Sequence, residues 1–178
     1  MADFELAVAK TIKNEGSAKY TETVDDKGGA TKYGISLKFL KDATILGHKP
    51  HSNATKDTIK NLTLEEALFI YKNCFWDANR YGEIENQVIA EKVFDMAVLM
   101  GAPWANKCLQ NVFIECGFVN FKADGIIGLH SLDMIHTMWE GYMIYVFKHN
   151  LTNHYRSICN KKKSQSKFLL GWLNRVMS

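Results

Sequence analysis

The amino-acid sequence predicts a mostly α protein with one small β excursion near its N-terminus. Three observations lead there. Apolar residues recur at three- and four-residue steps over most of the chain. Only two prolines interrupt 178 residues, and no internal repeat is present. The one clear period-two stretch follows Gly28-Gly29. With 47% hydrophobic and 23% charged residues the composition is that of an ordinary globular protein, which excludes disordered, collagenous and low-complexity readings. The length suits one domain whose core needs neither metal nor disulfide.

Phe4, Val8 and Ile12 predict a helix over 3–13 that ends near Asn14-Glu15-Gly16, with Glu15 at its C-terminal end. The segment 17–36 is polar and turn-rich; the alternation of Thr31, Tyr33 and Ile35 predicts a hairpin with those three on one face. Next, 37–62 reads as a short helix and then a loop. Thr63-Leu64-Glu65-Glu66 is a capping box, in which hydroxyl and carboxylate each satisfy the other residue's free backbone donor. It opens a helix to about Trp76, with Leu64, Leu68, Tyr71 and Phe75 as the buried face.

A strongly apolar central helix is expected over 88–100, broken by Gly101-Ala102-Pro103, with the proline in the first turn of its successor. That successor buries Leu109, Val112, Phe113 and Cys116. The connector 118–128 contains Ala123-Asp124-Gly125-Ile126-Ile127-Gly128. One long helix then carries Leu132, Ile135, Trp139, Tyr142 and Val146, and a last helix carries Leu169, Trp172, Leu173 and Val176.

Lys and Arg number 22 against 19 Asp and Glu, yet the last acidic residue is Glu140. Seven basic residues follow it (Lys148, Arg156, Lys161, Lys162, Lys163, Lys167 and Arg175), so a net charge of −4 precedes a tail of +7. The asymmetry points to a polyanionic partner: nucleic acid, membrane surface or bacterial wall polymer. No run reaches the roughly 18 apolar residues of a membrane span, and the start lacks a secretory signal, so synthesis in the cytoplasm without membrane insertion is expected. Cys74, Cys108, Cys116 and Cys159 form no CxxC pair and read as free thiols. His48, His51, His130, His136, His149 and His154 are scattered, and no metal site is expected. Gly28-Gly29 is not a phosphate cradle, because Thr31-Lys32 reverses the Lys-Ser/Thr order of a P-loop.

Chemistry centres on Glu15. A carboxylate at a helix end is ordinarily a solvated surface residue, but this one precedes a glycine and a segment holding Asp25, Asp26, Gly28, Gly29, Thr31 and Tyr33. Glycosidic bond cleavage requires two carboxyl groups flanking a cleft, one protonated to donate to the leaving oxygen and one ionised to assist water or the cationic transition state. Tyr20, Tyr33, Trp76 and Trp104 have rings suited to stacking on sugars, although a core role is the expectation for Trp76.

The stretch Glu15-Gly16 through Asp26-Lys27-Gly28-Gly29-Ala30-Thr31-Lys32-Tyr33-Gly34-Ile35-Ser36 resembles the signature of glycoside hydrolase family 108, the phage and bacterial N-acetylmuramidases. The resemblance continues, in order, through Ile59 to Ala67, Tyr71, Phe75-Trp76-Asp77, Val93-Phe94-Asp95, Leu109-Gln110, Asp124-Gly125-Ile126-Ile127-Gly128 and Phe168 to Val176. It implies a lysozyme-like helical fold with a catalytic region at 1–97. A region at 98–178, described in the family as predicted to bind peptidoglycan, would pack with it into one unit. The implied activity is hydrolysis of the β-1,4 bond between N-acetylmuramic acid and N-acetylglucosamine, without a cofactor, by a monomer released to the wall by a holin or another route.

By the same resemblance Glu15 is the general acid, and Asp26 with Thr31 faces it. Asp25, Gly28, Gly29 and Tyr33 are the substrate-binding candidates, Asp25 also being a neighbouring substitute for Asp26. Ser17 stands where the family usually has a second glycine, Leu99 where it often has asparagine, and the spacing from Glu15 to Gly28 is about two residues longer than the common form. Two other classes are carried alongside: a catalytically degenerate wall-binding or scaffold protein, and a nucleic-acid binder using Lys161-Lys162-Lys163. The latter gives no role to Glu15 or the hairpin.

Overall fold

The computed structural model describes residues 1–16, 18–22 and 29–178. The chain forms two compact units, one of Phe4–Ala78 and one of Met1–Asp3 with Asn79–Ser178. Both are helical, and a two-stranded antiparallel hairpin is the sheet among the described residues. No helix among them is long and apolar enough to cross a membrane.

In the first unit, α1 (Phe4–Asn14) buries Phe4, Ala7, Val8 and Thr11. The hairpin strands β1 (Thr31–Lys32) and β2 (Ile35–Ser36) pair Thr31 with Ser36 and Lys32 with Ile35. This register corrects the expected shared face of Thr31, Tyr33 and Ile35. Tyr33 and Gly34 are the two turn residues, with φ of 52° and 76°, so the alternation restarts across the turn and Thr31 and Ile35 lie on opposite faces.

Ser36 caps α2 (Leu37–Asp42) by accepting from the Phe39 N–H at 3.1 Å. A second short helix, α3 (Lys56–Asn61), lies where a loop was expected. Its Thr55–Thr58 capping box uses threonine at the third position, where glutamate or glutamine is the usual signal.

The predicted Thr63–Glu66 box is present and opens α4 (Leu64–Tyr71). The chain then widens into a π-helical turn over Lys72–Asp77. Tyr71 is buried as expected, together with Ala67, Ile70 and Trp76, whereas Leu64, Leu68 and Phe75 of the expected face are not fully buried. Leu64 and Leu68 instead line an open apolar groove of about 420 Å³ with Phe4, Val8 and Ile12. Trp76 packs edge-on against Phe4 at 5.7 Å between ring centres, the core role expected of it.

The second unit is built on α5 (Gln87–Met100) and α6 (Ala102–Glu115), which meet at Gly101 as the Gly-Ala-Pro break predicts. Ile89, Val93, Phe94, Ala97, Leu109, Val112 and Phe113 are fully buried, while Cys116 is only partly so. Gln110 knits the connector to this core. Its side-chain nitrogen donates to the Asp124 carboxylate, the Ile126 carbonyl and the Ser131 hydroxyl, and its oxygen accepts the Gly125 N–H at 2.7 Å. Asp124 also accepts from the Ile126 N–H, and these bonds, the backbone one foremost, hold its carboxyl below the usual range. The Asp-Gly-Ile-Ile-Gly segment is thus a structural loop.

The expected single long helix is two, α7 (Leu129–Thr137) and α8 (Glu140–Lys161), separated by extended backbone at Met138 and Trp139. Trp139 is exposed, and its ring folds over Gly141, where a Cβ would stand 2.9 Å from it. The apolar spacing runs unbroken across the division, which is why periodicity joins the two.

The basic tail ends in α9 (Leu169–Met177). There Arg175 forms a two-pronged pair with Asp95 of α5, Nη2 to Oδ1 at 2.9 Å and Nε to Oδ2 at 3.1 Å. The Asp95 side chain is 2% exposed and that of Arg175 12%. Buried Lys92 donates to the Arg175 carbonyl, and Lys148 to that of Met177. Two of the seven tail cations therefore bond within the protein, Arg175 in a buried pair and Lys148 in an exposed contact. Replacing Asp95 with alanine strands a guanidinium in low-dielectric surroundings and should cost about 3–5 kcal/mol. Urea denaturation measures it, and a loss below about 1 kcal/mol contradicts a buried pair.

Candidate active site

Glu15 stands at the C-terminal end of α1, its N–H bonded to the Thr11 carbonyl at 2.9 Å. The helix stops at Gly16, whose φ is +85°. The Glu15 side chain is half-buried and lies on the hairpin turn. A Cβ on Gly34 would fall 2.7 Å from each of Glu15 Cβ, Cγ and Oε2. The carboxylate therefore rests on bare backbone at the one turn position that has no side chain.

Each residue of the hairpin has a local task. Gly29 and Thr31 are linked by a bond from Thr31 Oγ1 to the Gly29 carbonyl at 3.4 Å. Ala30 is fully buried, and its carbonyl accepts the Leu37 N–H at 2.8 Å. Tyr33 is held in its left-handed conformation by Tyr71, whose hydroxyl donates to the Tyr33 carbonyl at 2.7 Å. Lys32 Nζ lies 5.5 Å from the Tyr33 ring centre and donates to the Lys60 carbonyl of α3. Ile35 enters the core and Ser36 caps α2. Thr-Lys-Tyr-Gly-Ile-Ser thus specifies a two-residue turn, anchored on both sides, beneath the Glu15 carboxylate.

Thr21 bonds back to back with Thr31, at 2.9 and 2.8 Å, so the excursion is pinned both where it leaves and where it returns. The neighbouring Glu22 accepts from Lys56 and from the Tyr20 hydroxyl. These bonds, that of Lys56 first, hold its carboxyl below the usual range. Glu22 is an ionised, engaged group and not a proton donor. Asp25, Asp26 and Gly28 lie outside the described residues, as does Ser17.

The structure thus brings Glu15, Gly29, Thr31 and Tyr33 together in one unit. It adds Gly34, Tyr71 and the Thr21–Thr31 bridge, none of which sequence reasoning singled out for the site. Glycine at the second position of a two-residue spacer between β-forming pairs is the signal that marks Gly34. Its approach to Glu15 is non-local and leaves no pattern. Among the described residues no group of His, Cys, Asp and Glu side chains is placed to hold a metal ion.

Residues 8–101 match the sequence model of the family described as glycosyl hydrolase 108. Among solved structures the chain is similar to that of Brucella abortus SagA, at 25% identity and a TM-score of 0.76, over 98% of this chain and 89% of that one. Among curated proteins, none matches the chain. The fold is the mostly α, lysozyme-like one with a small hairpin. The family match ends at residue 101, so the C-terminal segments of the resemblance lie beyond it.

Gly16 and Gly34 provide a matched pair of tests. Both have positive φ, and alanine at either should cost about 1–2 kcal/mol in backbone strain, but a Cβ on Gly16 meets nothing within 4 Å. Gly34→Ala should therefore lower the clearing rate of a peptidoglycan suspension at least tenfold relative to Gly16→Ala at similar thermal stability. Equal rates for the two would show that the position of Glu15 does not matter.

Proposed function

We propose, from the premise that this chain belongs to the glycosyl hydrolase 108 family, that it is an N-acetylmuramidase with Glu15 as its general acid. Membership makes it a glycoside hydrolase directed at peptidoglycan. The finer reading concerns the bond cut and the residues that cut it. One observation carries it: a half-buried carboxylate at a helix end, laid on Gly34, the turn position without a side chain, in a hairpin that also holds Thr31 and Tyr33.

The mechanism follows from that placement. Protonated Glu15 donates to the oxygen between N-acetylmuramic acid and N-acetylglucosamine as the bond to the anomeric carbon breaks. Water attacks that carbon from the other face. Its proton passes to a second carboxylate, assigned to Asp26 with Asp25 as its neighbour, and Thr31 steadies the water. Both aspartates belong to the segment whose flanks are joined by the Thr21–Thr31 bridge, which supports this assignment. Attack by water directly, with the carboxyl groups far enough apart to admit it, gives inversion; the anomer first released reports this. Tyr33, Gly29 and Gly28 are assigned to the sugar-binding edge. The working unit is a single chain with no cofactor.

Glu15→Gln keeps the shape and removes the transferable proton. It should leave the melting temperature within a few degrees of the parent and abolish release of fragments from purified peptidoglycan. The parent should release chains ending in reducing muramic acid. Anhydromuramic ends would instead make it a lytic transglycosylase. No release would make it a wall-binding relative, and full activity in Glu15→Gln would remove Glu15 from the mechanism.

A further inference from the structure

The last helix has an outward face that the packing of the second unit does not use. Inwardly, α9 is held by fully buried Val176, by Trp172 stacked on Tyr155 at 4.9 Å between ring centres, and by the Arg175–Asp95 pair. Those contacts leave Leu170, Gly171, Asn174 and Met177 exposed, at the three- and four-residue steps of a single helix face. Leu170 is 71% exposed and Met177 64%, high values for apolar side chains. A Cβ on Gly171 would meet nothing within 4 Å, so the middle of this face is open. Phe168, in the turn over Lys163–Phe168 that leads into α9, is also exposed and has Lys167 Nζ 4.9 Å from its ring centre.

Positive charge flanks these apolar groups. Lys161 closes α8, Lys162 follows it, and Lys163 and Lys167 belong to the turn before α9; all four are exposed. None of them forms an ion pair with a described residue. No acidic residue follows Glu140 in the chain. At the far end of α9, Lys148 donates to the Met177 carbonyl. Along the axis of α9, Phe168, Leu170 and Met177 therefore lie between Lys167 at one end and Lys148 at the other.

We propose that this face adsorbs to an anionic lipid bilayer. The lysines meet the lipid phosphates, and Phe168, Leu170 and Met177 enter the layer between headgroups and acyl chains. The chain lies on the bilayer and does not cross it, since no helix among the described residues is long and apolar enough to do so. Duplex nucleic acid and wall polymers are polyanions too, but neither offers an apolar layer, and three exposed hydrophobic side chains would stay in water against them. A bilayer uses both the charge and the apolar groups. Adsorption of this kind does not depend on the proposed reaction, and its test reads binding, not cleavage.

The full chain is sedimented with vesicles of phosphatidylcholine alone and of phosphatidylcholine mixed with phosphatidylglycerol. Binding to the anionic vesicles should be at least tenfold tighter. The triple change Lys162→Gln, Lys163→Gln and Lys167→Gln should remove most of that difference. Leu170→Ser should weaken binding to the anionic vesicles at least threefold. Gly171→Leu, which extends the apolar face where there is room for a side chain, should tighten it at least twofold, and Gly171→Glu should weaken it at least threefold. Gly171 lies off the packed face, so these two variants carry the test if another does not fold. Equal binding to the two kinds of vesicle overturns the proposal. So does binding that the lysine changes weaken but Leu170→Ser and Gly171→Leu leave unaltered, which marks a purely ionic surface. A triple lysine variant that keeps its hold on vesicles while losing duplex DNA or purified sacculi overturns it as well.

Discussion

The close approach of Glu15 to Gly34 is the constraint around which the first unit is arranged. A carboxylate can lie against a hairpin turn only if the turn has no side chain there and the backbone is held at that spot. The surrounding chemistry meets those conditions. The left-handed pair at 33–34 makes the turn two residues long, the Tyr71 hydroxyl fixes its carbonyl, Ser36 starts a helix directly after it, and the Thr21–Thr31 bridge fixes its other side. Several modest interactions of roughly 1 kcal/mol each thereby position one acid.

The second unit relies on a different kind of contact. Asp95 and Arg175 are nearly removed from water, and the pair is satisfied by geometry as well as charge: two parallel bonds, with Lys92 on the Arg175 carbonyl. Such a pair contributes little net stability over an apolar substitute, but a lone member is costly, so it sets where α9 lies. The tail's charge consequently has two uses. Arg175 and Lys148 tie the last helix down, whereas Lys161, Lys162 and Lys163 are exposed.

Local chemistry was legible in the sequence. The end of α1 at Glu15-Gly16, the Thr63 capping box and the Gly101–Pro103 corner are each encoded by a few adjacent residues and appear where expected. Errors arose where a pattern continued through a change of geometry. Alternation ran across the Tyr33-Gly34 turn, and helical spacing ran across Trp139. The α3 cap was overlooked because Thr58 does the work usually given to glutamate. Leu64 and Leu68 have the spacing of core residues but line an open groove. Glu15, Thr31 and Tyr33 could be picked out as candidates, yet the reason they belong together, Gly34 under Glu15, is a contact between residues 19 apart that no short-range signal records.

Tyr71 is the last residue of α4, immediately before the π-helical turn at Lys72–Asp77. In a helix each residue advances the direction of its side chain by about 100°. Adding or removing one residue within α4 would swing the Tyr71 hydroxyl away from the Tyr33 carbonyl while leaving every residue type unchanged. The π-helical turn behind it then carries Trp76 to its edge-on contact with Phe4. The segment from α4 to Trp76 is thus a gauge of length: it can accept many changes of residue, but not a change in their number.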